Sequence, residues 1–69
     1  MPSLAITVNG QPRDIAGPAT LDDLLRGLGL DARAVVVEHN RRIVRRPKLG
    51  ETVLAAGDSV ELVHFVGGG

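Results

Sequence analysis

The 69-residue chain has no cysteine, tryptophan or tyrosine, and a single phenylalanine, Phe65. Without cysteine it has no disulfide framework, no thiolate metal site and no thiol nucleophile. With one aromatic ring its core must be aliphatic, and the base-stacking platforms of single-stranded nucleic-acid binders are missing. Net charge is absent as well. Eight basic residues balance eight acidic ones, whereas a generic nucleic-acid binder should be basic overall. Apolar runs such as Ala34 to Val37 fall far short of the ~20 residues of a membrane span. The start, Met1-Pro2-Ser3-Leu4, lacks a basic stretch leading into a long apolar one, so a soluble cytoplasmic protein is expected. Length is scarce too. A domain of this size buries only ~60% of its unfolded surface and has little room for a private active site.

What is present suffices for one small domain. Hydrophobic residues make up 43% of the chain, too many for a disordered polymer. Leu4, Ile6 and Val8 alternate along a strand, Asn9-Gly10 favours a type I′ turn, and Gln11 to Ile15 returns as the second strand of a hairpin. After Gly17-Pro18, Thr20 stands as a helix N-cap with Asp23 three residues on, a capping box with the shorter acid. Leu21, Leu24, Leu25 and Leu28 form one apolar helical face, and Gly29 ends it. Ala34 to His39, with its Val35-Val36-Val37 run, reads as a strand buried on much of both faces. Asn40-Arg41 can turn the chain into a short partner strand, Arg42 to Arg45, stopped by Pro47. Gly50 to Ala56 is irregular, with Val53 and Leu54 expected under the sheet. Gly57-Asp58 marks a tight turn before a last strand, Ser59 to Val66. The order is β-β-α-β-β-β: an α+β chain with a mixed β-sheet packed on one main helix.

Three consecutive glycines, Gly67-Gly68-Gly69, close the chain. A segment without Cβ atoms stays mobile and can thread a channel too narrow for any side chain. Its one reactive group is the terminal carboxylate of Gly69. The plain alternative is a frayed end.

Together these features resemble the ThiS family of sulfur carrier proteins of thiamine biosynthesis, which have the ubiquitin-like β-grasp fold. The resemblance rests on Val8-Asn9-Gly10, Thr20 to Leu25, Asn40 to Val44, Gly57 to Val63, and Phe65-Val66-Gly67-Gly68-Gly69, covering nearly the whole chain. It implies a β-grasp domain over residues 1–66 and a flexible glycine tail over 67–69, with the last strand central in the sheet. It further implies that an adenylating enzyme of the ubiquitin-activating type (ThiF-like) uses ATP to activate the Gly69 carboxylate. A cysteine persulfide then supplies sulfur, and the resulting thiocarboxylate feeds a thiazole synthase (ThiG-like). In that scheme the chain is a protein co-substrate with no cofactor of its own. Gly69 carries the sulfur, while Gly67 and Gly68 give access. Where many members have a Pro-Arg pair and then a tryptophan, this chain has Arg45-Arg46-Pro47 and Leu49.

Other side chains have both a functional and a plain reading. Val63 and Phe65, with Val66, form a candidate docking surface beside the tail if Val60 and Leu62 face the helix; otherwise Val53 or Leu54 covers them. Five of the eight basic residues lie between Arg41 and Lys48. They either meet an acidic partner surface or a nucleic acid, or merely guard an edge strand. His39 and His64 are too few for a structural zinc set and read as strand-end residues. Asp22 and Asp23 read as helix-start acids and not as a catalytic pair. Open alternatives are a carrier serving molybdopterin or tRNA thiolation, a non-catalytic ubiquitin-like binding module, or conjugation through Gly69.

Overall fold

A computed structural model describes residues 2–65. Asn9 and Gly10 take φ angles of 51° and 80°, the left-handed pair that a two-residue hairpin with right-handed strand twist requires. They join β1 (Ser3–Val8) to β2 (Gln11–Ala16), which pair antiparallel from Ser3 opposite Ala16 to Val8 opposite Gln11.

Helix α1 (Leu21–Gly27) is fixed at both ends by its own sequence. Thr20 Oγ1 accepts from the Asp23 N–H at 3.1 Å, and the Thr20 N–H donates to Asp23 Oδ2 at 2.9 Å, which satisfies two otherwise orphaned donors. Past the end, Gly29 has φ 72°. Its N–H donates to the Arg26 carbonyl, and the Leu30 N–H reaches back to that of Leu25. This 5→2 and 6→1 pair is the Schellman cap. Seven residues of isolated helix would not persist in water; burial of Leu21, Leu24 and Leu25 against the sheet holds α1 in place.

A single 3₁₀ turn (Ala32–Ala34) leads into β3 (Val35–His39), and Asn40-Arg41 turns the chain into β4 (Arg42–Val44). Val35 and Val37 are buried, but Val36 is only half-buried. The expectation of burial on both faces therefore holds for alternate residues: α1 covers one face of the sheet, and Val36 points to the other. A second helix, α2 (Arg46–Leu49), follows. The sequence reading takes Pro47 only as a stop. Proline also fits the first turn of a helix, where its missing N–H costs nothing, and a four-residue helix is too short to show periodicity. Leu49 is fully buried in the core.

The last strand, β5, spans Ser59–His64 and does not include Phe65. Phe65 still donates its N–H to the Ala34 carbonyl at 2.9 Å, and Val66 lies outside the described residues. The five strands lie in the order β2-β1-β5-β3-β4, with β5 parallel to β1 and antiparallel to β3. The mixed sheet with its last strand central is thus as expected.

Between sheet and helix lies an aliphatic core of Ile6, Leu21, Leu24, Leu25, Val35, Val37, Leu49, Leu54, Val60 and Leu62 with Ala19. Val53 is not part of it. It is 63% exposed, which corrects the expectation that it tucks under the sheet with Leu54. The Leu21 N–H donates to the Thr52 carbonyl, the Leu54 N–H donates to that of Ala19, and Thr20 bridges Val53. Residues 52–54 are therefore strand-like, so neighbouring side chains point opposite ways and only Leu54 can face inward.

Candidate functional site

Alternation along β5 decides which residues meet solvent. Val60 and Leu62 are buried, and Glu61 and Val63 project from the face that α1 leaves uncovered. Val63 is 56% and Phe65 54% exposed. Neither Val53 nor Leu54 covers them, so the candidate docking pair is open, as its functional reading requires. Val66, Gly67, Gly68 and Gly69 lie outside the described residues. Strand pairing enlarges the patch. Val36 stands directly opposite Val63, while Ile43, 65% exposed, is paired with Glu38 one step along. The sequence could not single out Val36 and Ile43, because their place beside Val63 depends on β3 lying between β4 and β5. Pairing also sets Glu38 opposite Glu61, an arrangement of like charges that costs stability.

Two asparagines grip β5 from either side. Asn9 donates its N–H to the Val60 carbonyl at 2.9 Å, and its Oδ1 accepts from the Leu62 N–H at 2.7 Å. Asn40 donates its N–H to the Ser59 carbonyl at 2.8 Å, and its Oδ1 accepts from the Ser59 N–H at 2.9 Å. Both have φ near 50°, a conformation asparagine tolerates better than most residues. Backbone pairing of β1 with β5 spans just two residue pairs, Thr7 with Ser59 and Val8 with Val60. The Asn9 side chain carries that ladder one bond further.

His39 has a role the sequence reading did not foresee. Its Nε2 lies 2.7 Å from Asp58 Oδ2, with the two side chains only 19% and 13% exposed. Asp58 also accepts from the Ala55 N–H at 2.8 Å and from Asn40 Nδ2 at 3.2 Å. Burial pushes the Asp58 carboxyl up. The bonds from His39, Ala55 and Asn40 outweigh it and hold the group below the usual carboxylate range. The ionised Asp58 carboxylate can only accept, so His39 Nε2 is the donor of this pair, and the 3.4 Å approach of Asn40 Nδ2 to the same nitrogen is not a hydrogen bond. His64 is exposed at the end of β5, opposite Val35.

The helix acids behave as read from the sequence. The Thr20 N–H and then the Arg26 guanidinium hold the Asp23 carboxyl low. Arg26 reaches Asp23 at 2.6 Å and Asp22 at 3.6 Å. Asp23 caps the helix, and both acids pair with Arg26.

Known proteins are similar to this chain in sequence and fold. The ThiS family model matches residues 6–69. A thiazole synthase from Magnetococcus marinus is 42% identical over 66 residues, covering 96% of this chain and 20% of that protein. One from Paramagnetospirillum magneticum is 36% identical over the same length. The chain therefore spans about a fifth of these thiazole synthases. The sulfur carrier protein ThiS of Bacillus subtilis is 42% identical over 50 residues, 72% of this chain and 76% of that one. The crystal structure of the thiamine biosynthesis protein ThiS from Geobacter metallireducens matches with a TM-score of 0.82 at 35% identity, covering 96% of this chain and all of that one. With a mixed sheet centred on β5, one main helix and a family match running through Gly69, the chain belongs to the ThiS family.

Proposed function

We propose that this chain is a sulfur carrier for thiamine biosynthesis whose working group is the carboxylate of Gly69. One observation carries the reading. The central strand β5 leads through Phe65 directly into Val66-Gly67-Gly68-Gly69, in a chain that matches the ThiS family to its last residue.

The chemistry follows from what a carboxylate lacks. It is a poor electrophile because its carbon bears no good leaving group. A Gly69 oxygen attacks the α-phosphorus of ATP in an adenylating partner, pyrophosphate departs, and an acyl-adenylate forms. The terminal sulfur of a cysteine persulfide then attacks the acyl carbon and displaces AMP. A second thiol cleaves the resulting S–S bond, leaving the thiocarboxylate on Gly69 and a disulfide on the donor side. ATP, persulfide and thiol belong to the partners, and the carrier needs no bound cofactor or catalytic side chain. Gly67 and Gly68 let the partner's channel close around bare backbone. Val63, Phe65 and Val66 give partners an apolar surface beside the reacting end. Relatives in which the matching stretch is part of a thiazole synthase support thiazole synthase as the acceptor.

The test is intact mass before and after incubation with ATP, a persulfide donor and the cognate adenylating enzyme. A gain equal to exchanging one oxygen for sulfur, localised to Gly69 and abolished by deleting Gly68-Gly69, is expected. An unchanged mass with no adenylate trapped by hydroxylamine would refute the reading. Sulfur transfer to a molybdopterin precursor or a tRNA, and not to a thiazole, would redirect the product while leaving the carrier chemistry intact.

A further inference from the structure

Arginines past the end of β4 do something that edge protection does not explain. Arg42 opens the exposed edge strand β4 and Arg41 precedes it, where charge discourages pairing with another chain. Arg45 and Arg46 lie beyond it, at the start of α2. There, with Arg33 from the 3₁₀ turn, they rim a groove of about 400 Å³ whose apolar lining includes Val36, Ile43 and Phe65. Arg33 is held by Asp31, with Nη2 3.0 Å from Oδ2. Arg45 and Arg46 form no ion pair among the described residues. Glu38 and Glu61 form none either, and they stand side by side on the adjoining open face. In a chain of zero net charge, the groove rim and the adjoining open face thus hold two bases and two acids that form no ion pair among the described residues.

We propose that this groove and the Glu38–Glu61 pair are one docking surface for a protein whose carboxylates meet Arg45 and Arg46 and whose basic side chain settles between Glu38 and Glu61. The occupant is the adenylating partner, so the inference rests on the sulfur-carrier reading and names the surface chemistry of that partner. Phe65 lines the groove and is followed by the last four residues, so a protein seated there lies beside the end it must activate. A nucleic acid fits worse. Its phosphates would suit the arginines but would be repelled by Glu38 and Glu61, and Phe65 is the chain's one ring for a base. Opposed charges of this kind raise association rates and fix orientation more than they add affinity.

Stopped-flow association with the cognate adenylating enzyme, at sodium chloride concentrations from low to high, tests the proposal. An Arg45→Glu/Arg46→Glu variant should associate about ten-fold or more slowly at low salt, within the range that electrostatic steering spans. Its rate should no longer fall with salt but level off or rise, because glutamates then face the partner's carboxylates and salt screens that repulsion. Glu61→Lys gives a second readout. By ending the Glu38–Glu61 repulsion it should raise the thermal midpoint of the isolated chain while slowing association with the enzyme, a combination that a merely structural role would not produce. Wild-type rates and salt slopes in both variants would overturn the proposal. So would binding of poly(U) RNA by the wild type that is lost in the arginine variant while enzyme association is kept. The mass experiment keeps the two readings separate. A chain that gains sulfur while its charge variants dock normally refutes the docking surface alone. A wild-type chain that docks in the proposed way but gains no sulfur refutes the carrier chemistry alone.

Discussion

His39 at the end of β3 and Asp58 in the turn before β5 are joined by a 2.7 Å hydrogen bond between residues nineteen apart in sequence. Asp58 simultaneously receives the Ala55 N–H and Asn40 Nδ2, so one carboxylate ties the β3–β4 turn to the turn that launches β5. Asp58→Ala would strand the His39 donor and the Ala55 N–H, and should cost about 1–3 kcal/mol by urea unfolding. The folded Asp58 carboxyl lies below the usual carboxylate value. Its contribution is therefore fully present above the unfolded value of about 3.9 and is lost as pH falls below that through the folded value. Wild-type stability should fall more steeply than that of Asp58→Ala over this acid window. Equal slopes would show that the pairing adds nothing.

The two asparagines beside β5 make separable contributions. Asn9→Gly keeps the left-handed backbone accessible and removes only the oxygen that accepts from Leu62, so about 1 kcal/mol should be lost. Asn9→Ala adds backbone strain at positive φ and should lose more. Asn40→Gly should resemble Asn9→Gly, with a further loss from the missing bond to Asp58. Denaturant midpoints for the three variants settle the order, and a neutral Asn9→Gly would mean that water replaces its carbonyl.

Neighbouring residues Val53 and Leu54 should respond in opposite ways to the same change. Val53→Ser at a largely exposed position should shift stability by no more than about 0.5 kcal/mol. Leu54→Ser removes a buried side chain and leaves a hydroxyl in the core, so a cost of at least about 2 kcal/mol is expected. Comparable losses at both positions would contradict the strand-like geometry of residues 52–54.

Phe65→Ala should leave the fold intact, since the ring is largely exposed. Adenylation by the cognate enzyme should slow at limiting concentrations and recover towards saturation, the pattern of a lost docking contact. A variant adenylated at the normal rate throughout would remove Phe65 from the docking surface.

What the sequence discloses depends on how local each determinant is. The first hairpin follows from Asn9-Gly10, and α1 follows from Thr20, Asp23, a leucine stripe and Gly29. Each signal sits within a few residues of the structure it specifies. Leu49 and α2 are hidden because four residues carry no period, and Pro47 terminates strands as readily as it starts helices. The orientation of Val53 depends on a bridge to Thr20, more than thirty residues away. His39 with Asp58, Asn9 with Leu62 and Glu38 with Glu61 are likewise products of strand order, which periodicity does not encode. The exposed apolar patch is half legible: alternation along β5, carried on to Phe65, exposes Val63 and Phe65, but only the sheet adds Val36 and Ile43.

The central placement of β5 has a mechanical consequence. A partner that draws on the end of the chain while holding the domain's face loads β5 along its own axis. Hydrogen bonds to β1 on one side and β3 on the other would then be strained together in shear, and not opened one at a time as in peeling an edge strand. The bonds from Asn9 and Asn40 lie in the same load path. A domain arranged this way resists a pull along β5 with all of these bonds at once, and does not unravel strand by strand.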